Sequence, residues 1–464
     1  MVLELAMKKI LYIALALASF VPSVANAQKY SVGSFSFKDG SEYTGELVGK
    51  KPFGKGTTTW KNGDTYVGEY DRSKRQGHGV MTYAKTNEKY DGEWFDDYQH
   101  GTGTYYFANN NRYVGLWYKG RQKGMGTMFY HNGDTYNGTW EGNKRHGYGK
   151  YQWKDGAFYE GEWKNDQKEG QGIFEWEDGS RYVGEMIANS RHGKGTYTYT
   201  DGDVYEGDWK DDIQDGKGKY SFRNGDVYEG DYLEGERTGQ GTFILSNGNK
   251  YMGHFQNGNQ DGKGSFYWAN GASYTGDWKN NKMEGTGSYT WANGDVYEGE
   301  WIDNQMSGSG TLRMNDGNIF KGVFKEGKKE GSGVLITPDN HKIIGFYKND
   351  LRDGPFEETD ADGKVLNKAT YSRGVLKNGN PIKSFTTETT SVAQQSNDEL
   401  RIIDEEIDER DVVGPSTRRT SSYRRSSASS RKKAAASKKK SSKRKNSATK
   451  SSAKSKKSTK RKRR

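Results

Sequence analysis

Rings and glycines alternate with polar residues in a block that recurs every 23 residues from Tyr43 to about Gly354. Tyr43, Tyr66, Tyr90, Tyr113, Tyr136, Tyr159, Tyr182, Tyr205, Tyr228, Tyr251, Tyr274, Tyr297 and Phe320 open successive blocks, with one spacing of 24 after Tyr66. Counted from the opener, glycine stands at offset 2 (Gly45, Gly68, Gly92, Gly115, Gly138, Gly161, Gly184, Gly207 and onward). An aromatic follows at offset 4, as in Trp94, Trp117, Trp140, Trp163, Trp209, Trp278 and Trp301. A Gly-x-Gly pair fills offsets 11 and 13, for example Gly77 and Gly79, and a bulky residue such as Met81, Tyr105 or Tyr151 fills offset 15. Alternation with a period of two over offsets 0–4 and 11–17 predicts two short β-strands per block. Residues of one parity share a face, so the rings and glycines line one side, and Glu69, Glu93, Glu162, Asp208, Lys217 and Lys263 line the other.

Asn62-Gly63, Asn132-Gly133, Asp178-Gly179 and their equivalents separate the blocks and predict hairpin turns. A glycine within a strand leaves a hollow in which a neighbouring ring can lie against bare backbone. One hairpin is marginally stable alone, but stacking hairpins buries a continuous ladder. The expected architecture is all-β: a single-layer antiparallel meander of thirteen blocks over residues 43–342, forming a rod or trough on the order of 120 Å at about 4.8 Å per strand. Residues 28–42 read as an N-terminal cap built on Ser31–Phe37 and the Asp39-Gly40 turn, and residues 343–383 as a degraded fourteenth block and C-terminal cap.

This pattern resembles the MORN repeat family, whose motif is Tyr-x-Gly-x-Trp, a spacer, Gly-x-Gly, an aromatic and Asn-Gly; the likeness covers about two thirds of the chain. It implies a twisted β-meander, often dimeric, that serves as scaffold or adaptor; lipid binding has also been claimed for the family. Departures gather at the C-terminal end. Met314 and Thr337 take aromatic positions, Ile343 replaces the opening Tyr, and Phe356 stands where Gly-x-Gly wants its second glycine. They read as a cap or a dimer-forming end.

The ends of the chain add a location. Met7-Lys8-Lys9, an apolar run from Ile10 to Val21 and Ala25-Asn26-Ala27 predict a secretory signal over residues 1–27, with Met7 an alternative start. The run is shorter than the roughly 18 residues of a spanning helix, which favours cleavage over an uncleaved anchor. With no cysteine in the chain, disulfides and thiolate metal sites are excluded. Residues 384–414 read as a Ser/Thr/Gln linker running into an acidic segment with Leu400, Ile403 and Ile407 at helical spacing. Residues 415–464 carry 22 Lys and Arg and no Asp or Glu, so the first 414 residues hold 50 basic against 61 acidic residues. The overall charge of +11 therefore conceals an acidic body with a basic string. Lys438, Lys439, Lys440, Lys443, Arg444, Lys445, Lys460, Arg461, Lys462, Arg463 and Arg464 would neutralise phosphate or other anions without reading sequence.

Neither a catalytic constellation nor a cofactor or metal site is expected. The Gly-x-Gly pairs lack the Gly-Lys-Ser/Thr ending of a phosphate loop. The acidic residues recur with the block instead of converging in a cleft. His100, His146 and His192 share one offset in alternate blocks, about 19 Å apart at sheet spacing, and read as loop residues that no single ion could join. The function expected is an exported non-enzymatic scaffold or adaptor, in the periplasm, cell envelope or outside the cell, tethered by its tail to an anionic surface or a partner protein. A homodimer through the C-terminal repeats is a further expectation. Two alternatives stay open: a glycan- or peptidoglycan-binding protein using the aromatic trough, and a secreted effector whose tail takes nucleic acid or enters a nucleus.

Overall fold

The computed structural model describes residues 30–382. The secretory signal, the linker with its acidic segment and the basic tail with Lys438 to Arg464 lie outside the described residues. Thirty-one strands, numbered in chain order from β1 (Ser31–Ser36) to β31 (Val375–Gly379), make up the fold, with no helix among the described residues. They fall into two units, the first running to Asp178 with Ile187–Asn189, the second holding Gly179–Met186 and the described residues from Ser190 to Ile382. In the first, β1 to β12 each pair antiparallel with the next strand in sequence. In the second, β15 to β30 do the same.

One block shows how the sequence sets the register. Strands β10 (Thr135–Glu141) and β11 (Lys144–Gln152) place Tyr136 opposite Tyr151 and Gly138 opposite Gly149. On its other edge β11 meets β12 (Phe158–Lys164), with Tyr151 opposite Tyr159 and Gly149 opposite Gly161. Ring faces ring and glycine faces glycine across each interface. After Gly138 the register slips: His146, Gly147 and Tyr148 of β11 span the single Thr139 of β10, a β-bulge that bends β11. The strands are longer than the motif suggests, because most of the polar spacer belongs to them.

The tight turns are not where the Asn-Gly pairs predict them. Two-residue turns with both residues at positive φ, the geometry matched to strand twist, join the strands inside each block: Asp96-Asp97 (50° and 69°), Gly142-Asn143 (60° and 69°), Asn280-Asn281 (47° and 65°). Between blocks the chain takes a wider turn in which Gly133 alone of its pair has positive φ (96°), closed by bonds from Tyr130 N–H to Asp134 O and from Gly133 N–H to Tyr130 O. Asn132 Oδ1 accepts the Asp134 N–H at 3.1 Å. The 24-residue spacing lengthens the hairpin end: β5 (Lys74–Tyr83) and β6 (Glu88–Phe95) each gain a residue, Tyr83 pairing with Glu88, around a shorter turn at Ala84–Asn87.

The opening rings are the core. Each opening Tyr from Tyr43 to Tyr297 is fully buried, and Tyr136 sits edge-on between Trp140 (5.2 Å, 87°) and Trp163 of the next block (5.4 Å, 82°). Such edge-to-face pairs add about 0.5–1.5 kcal/mol each beyond burial. At the fourteenth block the departures have a packing reason. Ile343 brings no ring, and Phe356, in place of the second glycine, lays its own ring over Gly345 and makes edge contacts with Tyr347 (5.3 Å) and Tyr371 (5.5 Å). Beyond it Ile382 folds back, its N–H donating to Tyr371 Oη at 3.0 Å and its carbonyl accepting from Arg352 Nη1 at 3.0 Å.

Candidate functional site

The two glycines of Gly-x-Gly do different work, which alters the sequence reading of a single glycine-lined face. A Cβ at Gly79 would run into the Tyr66 ring, so this glycine is the ring's seat. Gly77 has φ of 62°, and a Cβ there would meet the Glu69 carboxylate on the opposite face; it is a bulge glycine. The offset-2 glycines, among them Gly68, Gly92, Gly115, Gly138, Gly161, Gly184 and Gly207, close the seat from the partner strand.

The tyrosine hydroxyl accounts for the choice of Tyr over Phe. The residue opposite the bulge leaves its carbonyl outside the strand ladder, and the opener's hydroxyl donates to it: Tyr90 to Glu93 O (2.9 Å), Tyr136 to Thr139 O (3.1 Å), Tyr205 to Asp208 O (3.0 Å), Tyr297 to Glu300 O (3.1 Å). Tyr66, Tyr113 and Tyr159 repeat the bond. Each Trp at offset 4 binds backward instead, its indole N–H donating to the seat glycine's carbonyl in the preceding block: Trp94 to Gly79 (3.0 Å), Trp117 to Gly103, Trp140 to Gly126, Trp163 to Gly149, Trp209 to Gly195, Trp278 to Gly264 and Trp301 to Gly287. The acidic residues of the outer face have a local task too, since Glu93, Asp208 and Glu300 accept the backbone N–H of Thr102 (3.1 Å), Lys217 (2.8 Å) and Ser309 (3.0 Å) across the bulge. Bonds from the hydroxyl and N–H of Thr102 hold the Glu93 carboxyl below its usual range.

Burial, with the Glu46 charge behind it, pushes the Tyr43 hydroxyl up to about 12, and burial raises Tyr66, Tyr136, Tyr205 and Tyr274 as well. A folded value above the unfolded one means that the stabilisation is whole below about pH 10 and is lost as pH climbs through the folded value. In a spectrophotometric titration, tyrosinate absorbance from the openers is therefore expected only together with loss of the β-sheet dichroism, above about pH 11. Opener ionisation with the sheet intact would contradict the buried ring core.

Arginine on the ring face escaped the sequence reading. The Arg75, Arg145 and Arg191 guanidiniums each lie 4.2 Å from the rings of Trp94, Trp163 and Trp209. Each donates through Nε to the Asp of the next tight turn: Asp97 (3.2 Å), Asp166 (3.1 Å) and Asp212 (3.2 Å). Where Gln99 and Gln122 stand in their place, a shallow cavity of about 540 Å³ remains, bordered by Tyr105, Trp117, Trp140 and Arg145. Trp117 and Trp140 are nevertheless only 6% and 5% exposed, so the rings serve the fold more than they offer a stacking platform.

The outer face carries the variety. Cross-strand pairs there are charged at Lys194–Asp208 (2.7 Å), Lys217–Asp231 (2.6 Å) and Lys263–Asp277 (2.5 Å) in the second unit. In the first unit Val114, Leu116, Met125 and Tyr148 are well exposed on this face, beside charged pairs such as Lys150–Glu160 (3.5 Å). His100, His146 and His192 lie in strands, not loops; His100 packs between the rings of Phe95 (5.5 Å) and Tyr118 (5.3 Å). Among the described residues no group of three or more His, Asp or Glu could hold a metal ion.

The MORN repeat model matches thirteen consecutive segments, from residues 43–65 to 320–342. No curated protein matches the chain. Among solved structures, it is similar to the SAS-4 (dCPAP) TCP domain of Drosophila melanogaster, in complex with a proline-rich motif of Ana2 (dSTIL), at 15% identity, covering 34% of this chain and 85% of that one with a TM-score of 0.24. It is also similar to the TCP10 domain of Danio rerio CPAP at 13% identity, covering 43% and 99% with a TM-score of 0.26. Likeness at such scores bears on neither mechanism nor partners.

Proposed function

The chain belongs to the MORN repeat family, and on that premise we propose that it is an exported, non-enzymatic scaffold whose basic tail tethers it to an anionic surface. The observation that carries this reading is the division of labour within the block. Rings, glycines and bulge carboxylates are all occupied in holding strand to strand, while the residues free to differ from block to block lie on the outer face. A surface built this way varies its chemistry along the sheet without touching its core, as a platform for protein partners does. The tether rests on the 22 basic and no acidic residues after Pro415, and export on the leader-like start of the chain.

Deleting residues 415–464 is expected to abolish retention on membrane or envelope fractions and to leave the β-sheet dichroism unchanged. The retention of the full chain should fall steeply between about 50 and 200 mM salt, as for any contact made by releasing counterions from a polyanion. Retention that survives the deletion would refute the tether.

A further inference from the structure

Strand β1 is half of a block. Among the described residues it pairs with β2 (Glu42–Val48) alone, and Gly33 stands opposite Gly45 and Phe35 opposite Tyr43, as Gly149 and Tyr151 stand opposite Gly161 and Tyr159. Gly33 is thus a seat glycine. The thirteen seat glycines from Gly56 to Gly333 each have their opener's ring where a Cβ would go, and in the fourteenth block Phe356 fills the seat itself. At Gly33 alone no ring lies within 4 Å among the described residues; the sole neighbour is Leu47 Cδ1 at 3.1 Å. Leu47 also stands where later blocks have Trp, so no indole N–H reaches the Gly33 carbonyl as Trp94 reaches Gly79.

Among the described residues no strand lies along the far edge of β1 either. Natural sheets blunt an edge with Lys, Pro, a bulge or a covering segment. Ser31-Val32-Gly33-Ser34-Phe35-Ser36 has no charge and no proline, Val32 is 81% exposed, and the pairing with β2 has no bulge. At the other end, β31 carries Lys377 and is followed by Pro381 and the folded-back Ile382.

We propose that the β1 edge is a docking site for a strand from another protein, added antiparallel, with an aromatic residue two positions before a glycine. The ring would take the seat at Gly33 and the glycine would stand opposite it, while alternate backbone groups of β1 that point away from β2 bond to the new strand. The chain's own composition points outward for the donor. Residues 1–29 contain no glycine, and residues 383–464 contain one, Gly414, two positions after a valine. Opener strands from Glu42–Val48 to Phe158–Lys164, and from Val204–Lys210 to Lys342–Lys348, are already paired along both edges, so a second copy has none of these to lend without tearing its sheet. The proposal does not depend on the tail or on export.

The test uses the full chain and a fluorescent peptide, Thr-Tyr-Asn-Gly-Thr-Trp-Glu, which reproduces residues 135–141. Saturable binding is expected, weakened about tenfold or more by Tyr→Ala in the peptide and likewise by N-methylation of its alternate amides. Gly33→Val in the chain should abolish it by filling the seat. In the free chain β1 should exchange its amide hydrogens far faster than Lys51–Thr59, and the peptide should slow that exchange. Four results would overturn the proposal: no binding at millimolar peptide, binding indifferent to the tyrosine, binding unchanged by both N-methylation and Gly33→Val, or a β1 already protected in the free chain. The last would mean that residues preceding Tyr30 or a second copy cover the edge.

Discussion

Gly184→Val should unfold its hairpin locally at a cost of about 3 kcal/mol or more, while Glu185→Gln, one residue on, should stay within about 0.5 kcal/mol. A Cβ at Gly184 would come within 2.5 Å of the Gly195 Cα, 2.5 Å of Tyr182 Oη and 2.6 Å of the Lys194 carbonyl. Two of those three are backbone and cannot swing aside, so either the strands part or the Tyr182 ring leaves its seat. Valine's preference for strands is no help here, because propensity is worth at most about 1 kcal/mol. Glu185 points to the outer face, and a glutamine there keeps a carbonyl oxygen for any local N–H. Repeat arrays need not unfold in one step, so the measurement is amide exchange resolved along the chain, with loss of protection in residues 181–198 for valine alone. Equal tolerance at the two positions would sink the assignment of faces.

Tyr274→Ala and Tyr274→Phe separate the ring from its hydroxyl. Tyr274 is fully buried, edge-on to Trp278 (5.2 Å) and Trp301 (5.3 Å), and donates to Asp277 O at 3.0 Å. Alanine removes the ring from its two indole neighbours and empties the seats at Gly276 and Gly287, a loss of about 3–5 kcal/mol. Phenylalanine keeps the packing and deprives the bulge carbonyl of its donor, about 1 kcal/mol. The chain holds its own precedent in Phe320, which opens a block without a hydroxyl and is still only 1% exposed. Urea midpoints of the two variants should therefore fall in the order Ala well below Phe, with Phe just below the parent. A phenylalanine as damaging as alanine would mean that the hydroxyl, not the ring, organises the block.

The period of two and the period of 23 were legible because rings and glycines repeat in phase. Strand existence, antiparallel order and the buried face of Tyr136 or Trp163 all followed from them. What stayed hidden depends on backbone geometry that residue names do not display. Asp96-Asp97 and Asn280-Asn281 form the tight turns, yet lack the glycine that marks such turns in a sequence, while the conspicuous Asn132-Gly133 closes a wider one. The bulge after Gly138 cannot be seen in the alternation, and with it went the distinction between Gly77 and Gly79 and the reason for Tyr over Phe. Phe356 looked like decay of the motif because its gain, a ring over Gly345, lies across the strand from the Ile343 that made it necessary. Arg75 and Arg145 carry no mark in the alternation, since their Trp and Asp partners come from the next block.

The single extra residue between Tyr66 and Tyr90 has a bearing on how such a chain can change over time. It is taken up where β5 and β6 meet their shared bend, between Tyr83 and Glu88, and leaves every ring and glycine of the adjoining strands in phase. Copying errors that add or drop a few codons at these bends should pass with little harm, whereas one codon gained inside a strand would swap its inward and outward side chains. A gene of this kind can grow by whole duplicated units, each new unit finding its register already written in its neighbour.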